Sequence, residues 1–445
     1  MEPTNPRVTM DEISALAKRR GFIFQSSEIY GGINGFWDYG PLGAVLKRNV
    51  KEAWWRENVL LRDDVVAFDS SIIMHPLVWK ASGHVDAFHD KLVDCKVCKH
   101  RFRFDHLKNP HQCPDCGSKD SFTEPRNFNL MMQTQVGPME DTASIAYLRP
   151  ETAQGIFVNF KNVYQTARKR PPFGIAQIGK SFRNEITPGN FTYRVREFEQ
   201  AELEYFVPDD GNDLRAFSEW VDRRKAWYSQ YGIKPDRLRF YELTPQERPH
   251  YAKAGTDVEY LFPWGWGELE SIAHRGTYDL DAHMALSGKD LRYYDEASKT
   301  HYTPILIESS AGVDRTTLTM LIDAYERENS VDPNGKETER TVLRFHPFIA
   351  PVQVAVFSLA RNRPELVERA RAIESALRPR YRTQYDEGNI GQLYRRQDEI
   401  GTPLCVTVDF DTPADGTVTV RNRDSMRQER VGAEALEGYL GTLLR

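Results

Sequence analysis

The 445-residue sequence is poor in cysteine, with only five, and holds no apolar run near the roughly 20 residues that a membrane helix needs. It also lacks an excess of either charge: 59 Lys and Arg stand against 64 Asp and Glu, for a net charge of -5. That balance excludes a bulk basic protein that coats nucleic acid, while leaving room for a local basic track. The opening residues, Met1-Glu2-Pro3-Thr4-Asn5-Pro6, lack the basic and then apolar run of a secretory signal, so a cytoplasmic location is expected. There is no repeat of fixed period and no low-complexity tract. Lysine is absent from His346 to Arg445, where arginine supplies the fixed positive charge. Guanidinium planes stack on unpaired bases and fork onto phosphates, which suits an RNA loop. A genome rich in G and C would give the same bias. What the chain does have, 40% hydrophobic and 28% charged residues, is enough for a core and too apolar for disorder. Its length predicts about two to four domains.

The cysteines are informative because they are few. Four form two pairs, Cys95-x-x-Cys98 and Cys113-x-x-Cys116, separated by the short loop Lys99 to Gln112. Disulfide frameworks belong to short secreted chains. Two such pairs can instead supply four thiolates to a tetrahedral structural Zn²⁺, with no position left open for chemistry. The alternative is two redox motifs, but a redox pair opens a helix, whereas Cys113-Pro114-Asp115-Cys116-Gly117 is a turn sequence. A zinc-knuckle insert is therefore expected at about residues 94–118. Cys405 stands in an apolar run and reads as a buried strand residue.

Periodicity sketches the rest. Leu46, Val50, Ala53 and Trp54 mark a helix that starts at Gly40-Pro41-Leu42-Gly43. Residues 173–206 predict strands broken by Thr187-Pro188-Gly189-Asn190, and residues 211–232 a helix with Leu214, Phe217, Trp220 and Val221 inward. The polar stretch Asn329 to Thr341 reads as a linker. Beyond it, strands at 352–359, 404–410 and around Val418 and Val420 alternate with helices at Leu366–Leu377 and about 434–444. That alternation predicts a compact α/β domain.

Two nucleotide motifs overlap. Gly174-Ile175-Ala176-Gln177-Ile178-Gly179-Lys180-Ser181 fits the Walker A spacing. A phosphate loop must lead straight into a helix, yet Pro188-Gly189 arrives within two turns, and residues 175–178 alternate like a strand. The rival reading is a hairpin, 179–185 against Tyr193–Glu202, lined with arginines and carboxylates. Arg183 and Glu185, two apart on one face, offer a fork for phosphate and an acceptor for an exocyclic amine. Downstream, Gly312-Val313-Asp314-Arg315 is a glycine-led turn with an arginine at the mouth of an apolar helix.

With these residues the chain resembles the class II aminoacyl-tRNA synthetases, and within them the dimeric glycyl-specific branch. The helix after Gly40 looks like their motif 1. Phe182-Arg183-Asn184-Glu185 with Arg194-Val195-Arg196-Glu197-Phe198 looks like motif 2, and Gly312–Arg315 like motif 3. Arg149-Pro150-Glu151-Thr152-Ala153-Gln154-Gly155, Phe198-Glu199-Gln200-Ala201-Glu202 and Gly265-Trp266-Gly267-Glu268-Leu269-Glu270 resemble the glycine-specific segments. The likeness runs from about Asp11 to Leu440. Ser309, in Glu308-Ser309-Ser310-Ala311-Gly312, replaces a usual proline and relaxes the backbone of the turn expected there.

The resemblance implies an α/β chain with a class II antiparallel sheet and flanking helices over 1–341, and an anticodon-binding domain over 346–445. That second likeness is strongest at Gly391-Gln392-Leu393-Tyr394-Arg395-Arg396-Gln397-Asp398-Glu399-Ile400-Gly401. It implies attachment of glycine to tRNA(Gly) through glycyl-adenylate, using ATP with Mg²⁺, in a homodimer formed through the motif 1 region. By the same likeness Arg183 holds the α-phosphate, Glu185 reads adenine, and Phe198 and Arg315 cover the two faces of the base. Asn184, Tyr193, Arg194, Val195, Arg196, Glu197, Glu268, Leu269, Gly312, Val313 and Asp314 are expected to complete the ATP site. Arg103, Glu151, Phe198, Glu199, Gln200, Ala201, Glu202, Glu308, Ser309, Ser310, Ala311 and Gly312 are expected around glycine. Carboxylates suit a substrate whose ammonium is nearly all there is to recognise. A synthetase for another amino acid is the first alternative, and the glycine-type segments weigh against it. A non-catalytic RNA-binding paralogue is the second, and the presence of both motif arginines weighs against that.

Overall fold

A computed structural model describes residues 8–138, 145–248, 251–331 and 337–444. Its centre is a seven-stranded sheet in the order Leu238–Glu242, Ala254–Phe262, Gly265–Gly276, Ile305–Gly312, Glu197–Val207, Phe173–Phe182, Val65–Ala67. Neighbouring strands run antiparallel except at the edge, where Val65–Ala67 pairs parallel with Phe173–Phe182. One face packs Ala176, Leu203, Ile272 and Ile307 against the helices Pro41–Trp55, Asp213–Gln230 and Val313–Ala324. The other packs Phe173, Ile175, Phe206 and Leu306 onto the Ala153–Ala167 helix, with Phe160 and Phe206 centroids 4.4 Å apart. The fold class expected from the sequence is the one observed.

The Pro41–Trp55 helix starts where the punctuation predicts, with Gly40 as its cap and Pro41 in the first turn. Leu46, Val50, Ala53 and Trp54 are all buried. Gly43 is required by contact: a Cβ there would lie 1.8 Å from the Phe22 carbonyl oxygen. The Walker A glycine has a similar explanation. A Cβ on Gly179 would sit 2.1 Å from Arg149 Nη2, and Arg149 is buried, donating to the Lys180 carbonyl at 2.7 Å and the Ser70 carbonyl at 2.8 Å. Residues 173–182 are one continuous strand, so no phosphate loop exists there.

Four expectations need correcting. The returning arm of the motif 2 hairpin begins at Glu197, not Tyr193, because pairing stops at Phe182–Glu197. Residues 183–196 form a loop closed by the single bridge Gly189–Arg194. In the Asp213–Gln230 helix the inward stripe is Trp220, Val221, Arg224, Trp227 and Tyr228, while Leu214 in the first turn is exposed. The segment around Ser309 is no turn: it lies mid-strand, paired with Leu203 on one side and Ile272 on the other. Lastly, the polar stretch taken for a linker is the hairpin Tyr325–Val331 with Glu337–Leu343. Of the linker's turn residues, Asp332, Pro333, Asn334 and Gly335 lie outside the described residues. Alternating charges are what an exposed two-stranded ribbon carries, and a polar composition does not separate ribbon from linker.

The chain ends in a five-stranded sheet ordered Thr383–Asp386, Val354–Ser358, Leu404–Val408, Thr417–Asn422, Gln428–Gly432, parallel across the first three. The helices Pro364–Leu377 and Leu436–Leu443 pack on it over Val354, Val356, Val406 and Leu440, and Cys405 is buried on its middle strand. Between the large-sheet strands Val65–Ala67 and Phe173–Phe182 in the chain, His89–Asp94, Arg101–Arg103 and Arg126–Asn129 form a small sheet that carries the cysteine pairs. Among the described residues no helix is long and apolar enough to cross a membrane.

Candidate active site

The large sheet opens at one end into a cavity of about 490 Å³. Strand alternation builds its floor. Phe198, Gln200 and Glu202 project from one strand, Glu308 and Ser310 from the next, and Ser271, Ala273 and Arg275 from the third. A register shift opposite Val258 and Glu259 turns Glu268 into the cavity, while Glu270 faces the other way. Below the sheet Glu270 accepts from Arg224 Nε at 2.7 Å, Tyr228 at 2.9 Å and Ser309 Oγ at 2.6 Å.

One end of the cavity is acidic. Glu202 accepts from the Thr152 amide at 2.8 Å, from the Thr152 hydroxyl, from Ser310 Oγ at 2.6 Å and from Gln200 Nε2 at 2.9 Å. Four donors fill its lone-pair directions, so it holds Ser310 and Thr152 in place as well as contributing charge. Burial and Glu151 push its carboxyl up, against those donors and Arg183. At Glu151 burial is outweighed by His84, at 3.3 Å, and by Arg275, which hold the group below the usual carboxylate range. Burial drives Glu308 up to about 7 despite Arg275 Nη1 at 2.8 Å, with Glu202 and Glu151 adding to the rise. Arg275 itself is clamped by both oxygens of Asp279 at 2.8 and 2.9 Å and lies 4.2 Å from the Tyr251 ring.

The other end is lined by arginines and aromatic rings. Arg183 is fixed through Nε on the Pro150 carbonyl at 3.0 Å, with its guanidinium 5.4 Å from the Phe198 ring. Arg315 stacks 4.5 Å from the Tyr193 ring and donates to the Glu268 carboxylate at 3.1 Å. Glu185, Arg194 and Val195 close the rim from the 183–196 loop, and Arg103, held by Asp90 at 3.1 Å and by Asp105, approaches from the small sheet.

Most of the residues singled out from sequence meet here, including Gly312 and Asp314. Eight do not line the cavity. Ala201, Leu269, Ser309, Ala311 and Val313 are buried with side chains turned away by alternation or into the helix packing. Arg196 braces the loop from inside, donating to the carbonyls of Glu185 and Asn34. Glu197 pairs with Lys180 at 2.7 Å, and the backbone N–H of Asn184 donates to the Leu130 carbonyl at 2.8 Å. Glu199 lines the cavity but is occupied: Lys47 holds it at 2.7 Å and Lys51 at 2.9 Å. Lys47 also reaches Asp314 Oδ1 at 2.7 Å, and Asp314 accepts the Glu199 amide at 2.6 Å. Motif 1 is thereby bolted to motifs 2 and 3 by one buried ammonium. Sequence reading missed Lys47, Arg275 and Tyr251. For Arg275 a signal existed, since it continues the alternation Ser271, Ala273 on a strand already chosen.

The cysteine Sγ atoms of Cys95, Cys98, Cys113 and Cys116 all lie within 4.8 Å of one another, with Cys95–Cys116 and Cys98–Cys113 at 3.7 Å. A tetrahedron with metal–sulfur bonds of about 2.3 Å has edges of about 3.8 Å. The four thiols are close enough to share one metal ion.

Comparison with known proteins decides the family. Residues 139–325 match the tRNA synthetase class II core domain (G, H, P, S and T), and residues 353–443 the anticodon binding domain. The chain is 51% identical to the glycine–tRNA ligase of Streptomyces coelicolor, over 98% of both chains. The chain belongs to the glycine–tRNA ligases. The same ligase from Thermobifida fusca is 51% identical over 98% of each chain, and that from Treponema denticola 51% over 99% of this chain and 98% of its own. The class II core match covers the sheet strands and the loop that build the cavity; the ligase's anticodon-domain match covers the terminal sheet.

Proposed function

We propose that the 490 Å³ cavity is where this glycine–tRNA ligase makes glycyl-adenylate, with glycine at the acidic end and ATP over Phe198 and Arg315. The observation that carries this is the meeting of three glutamates, Glu151, Glu202 and Glu308, within one cavity with Arg183 and Arg315. The glycine carboxylate attacks the α-phosphate directly, pyrophosphate leaves, and glycine then passes to the 3′ end of tRNA(Gly) with release of AMP. The chain supplies position and charge rather than a nucleophile. Arg183, between the two ends, neutralises the five-coordinate phosphorus; Glu151 and Glu308 accept from the ammonium, and Glu202 adds its charge beside them, so that the glycine carboxylate faces Arg183. Mg²⁺ accompanying ATP adds charge neutralisation on the phosphates, and Glu268 is the carboxylate suited to hold it.

In this reading residues 1–341 are the catalytic domain and 346–445 bind the anticodon arm, supported by the two family matches. The four-cysteine cluster takes structural Zn²⁺, as its thiolate set and 3.7 Å spacings favour. A homodimer forms beside the Pro41–Trp55 helix, where the preceding loop leaves Ile29 and Tyr30 almost fully exposed. The decisive experiment is glycine-dependent ATP–pyrophosphate exchange with Arg183→Ala. Loss by about 100-fold or more supports the role given to this arginine; near-normal exchange refutes it.

A further inference from the structure

The hairpin that replaces the expected linker is anchored at both ends. Its first strand, Tyr325–Val331, continues from the Val313–Ala324 helix that carries Arg315 in its first turn. Its second, Glu337–Leu343, lies against the helix Ile390–Ile400 of the terminal domain, and there the chain buries a charge cluster. Asp398, 2% exposed, accepts from Arg340 Nε of the hairpin at 2.8 Å. It also accepts both terminal nitrogens of Arg421, at 2.9 and 3.0 Å, from the terminal sheet. Arg340, 6% exposed, spans further, donating to Glu328 on its partner strand and to the Arg423 carbonyl at 2.6 Å.

Two guanidiniums on one buried carboxylate, Arg421 as a two-nitrogen fork and Arg340 through Nε, resist rotation far more than an apolar contact of similar area. Such clusters contribute little net stability compared with apolar packing, and their best-attested use is to specify one arrangement. The same helix exposes Arg396 on the side opposite Asp398, where it pairs with Asp386 at 3.4 Å, and exposes Arg395 one turn before Asp398. One element thus carries cations toward solvent and a charge lock toward the catalytic body.

We propose that Asp398, gripped by Arg340 and Arg421, is a positioning residue for tRNA charging: it fixes the orientation of the terminal domain so that an RNA held there delivers its 3′ end to the cavity. The inference rests on the assignment of that domain to the anticodon arm. It makes the hairpin a rigid strut between the two sites instead of a tether. A misplacement of the order of 1 Å at a reacting centre costs about 100-fold in rate, so loosening the lock acts on transfer and spares activation.

The test uses the full-length protein with Arg340→Gln and, separately, Asp398→Asn. The first leaves Asp398 paired with Arg421 and is the variant more certain to fold. Expected are pyrophosphate exchange within about twofold of wild type, tRNA affinity within about threefold, and charging kcat lower by about tenfold or more. Unchanged charging in both variants overturns the proposal. Exchange that falls in step with charging also overturns it, since the cluster would then support the catalytic fold. Loss of tRNA affinity places the cluster's effect on binding rather than on transfer and equally overturns it. A separate arm competes wild-type tRNA binding with an isolated anticodon stem-loop. Absence of competition refutes the domain assignment, and the proposal with it, in a way the variants alone would not mimic.

Discussion

Replacing Lys47 by methionine tests whether one buried ammonium joins the three motifs. Lys47 is 7% exposed and lies 2.7 Å from both Glu199 and Asp314. At Glu199 burial is overcome by Lys47 and Lys51, which hold the carboxyl down to about 2 from its ordinary 4.5. That depression corresponds to about 3 kcal/mol of native-state stability at neutral pH. Breaking a buried pair by removing one partner costs about 3–5 kcal/mol. Lys51 remains beside Glu199, and Tyr39 Oη still donates to Asp314 at 2.7 Å, so the low end, about 3 kcal/mol, is expected. For a body this large that lowers Tm by roughly 6 °C. The sign with pH follows from the lowered carboxyl. Its contribution is present above the unfolded value near 4.5 and lost as pH falls toward 2. The gap between wild type and variant, measured by denaturant titration, should therefore be full at pH 7 and narrow progressively below about 4.5. Adding Glu199→Gln to Lys47→Met should restore part of the loss by removing the stranded charge. A variant that melts within about 1 °C of wild type, with a gap indifferent to pH, would refute the bolt.

The remaining predictions concern the pocket and the insert. With Glu308 titrating at about 7, glycine binding needs the ionised form, so the glycine KM should fall by about tenfold from pH 6 to pH 8 while the ATP KM stays nearly flat; a flat glycine profile removes Glu308 from the ammonium site. Reconstituted protein should hold one Zn²⁺ per chain, and Cys113→Ser should release it and raise hydrogen exchange across the insert; elemental analysis without zinc sinks the assignment. Alanine should be activated about 1,000-fold less efficiently than glycine, on the order of 4 kcal/mol, because an added methyl displaces a carboxylate contact in a packed acidic pocket. Pyrophosphate exchange with alanine within tenfold of glycine would disprove the pocket assignment.

Much of this was legible without coordinates, for definite reasons. Thiol spacing limits chemistry locally, so the four-cysteine cluster could be read from two pairs and a turn. Apolar spacing placed the Pro41–Trp55 helix and the Pro364–Leu377 helix, because a 3.6 period survives any context. Local punctuation also dismissed the Walker pattern, and the structure adds why Gly179 is there. Alternation on a known strand could even have delivered Arg275. Tertiary structure decided the rest. Whether Glu268 or Glu270 faces the cavity depends on a register shift against a neighbouring strand, which no single segment encodes. Glu199 reads like a substrate ligand until Lys47, far away in the chain, is found holding it. Asn329–Val331 and Glu337–Thr341 have the composition of a linker, yet they pair as a ribbon whose Arg340 meets Asp398 across the fold. Residue types and local periods thus fix which chemistry is available. Pairing between distant charges and the register between strands decide which of those groups are free to use it, since both depend on neighbours the local sequence does not contain.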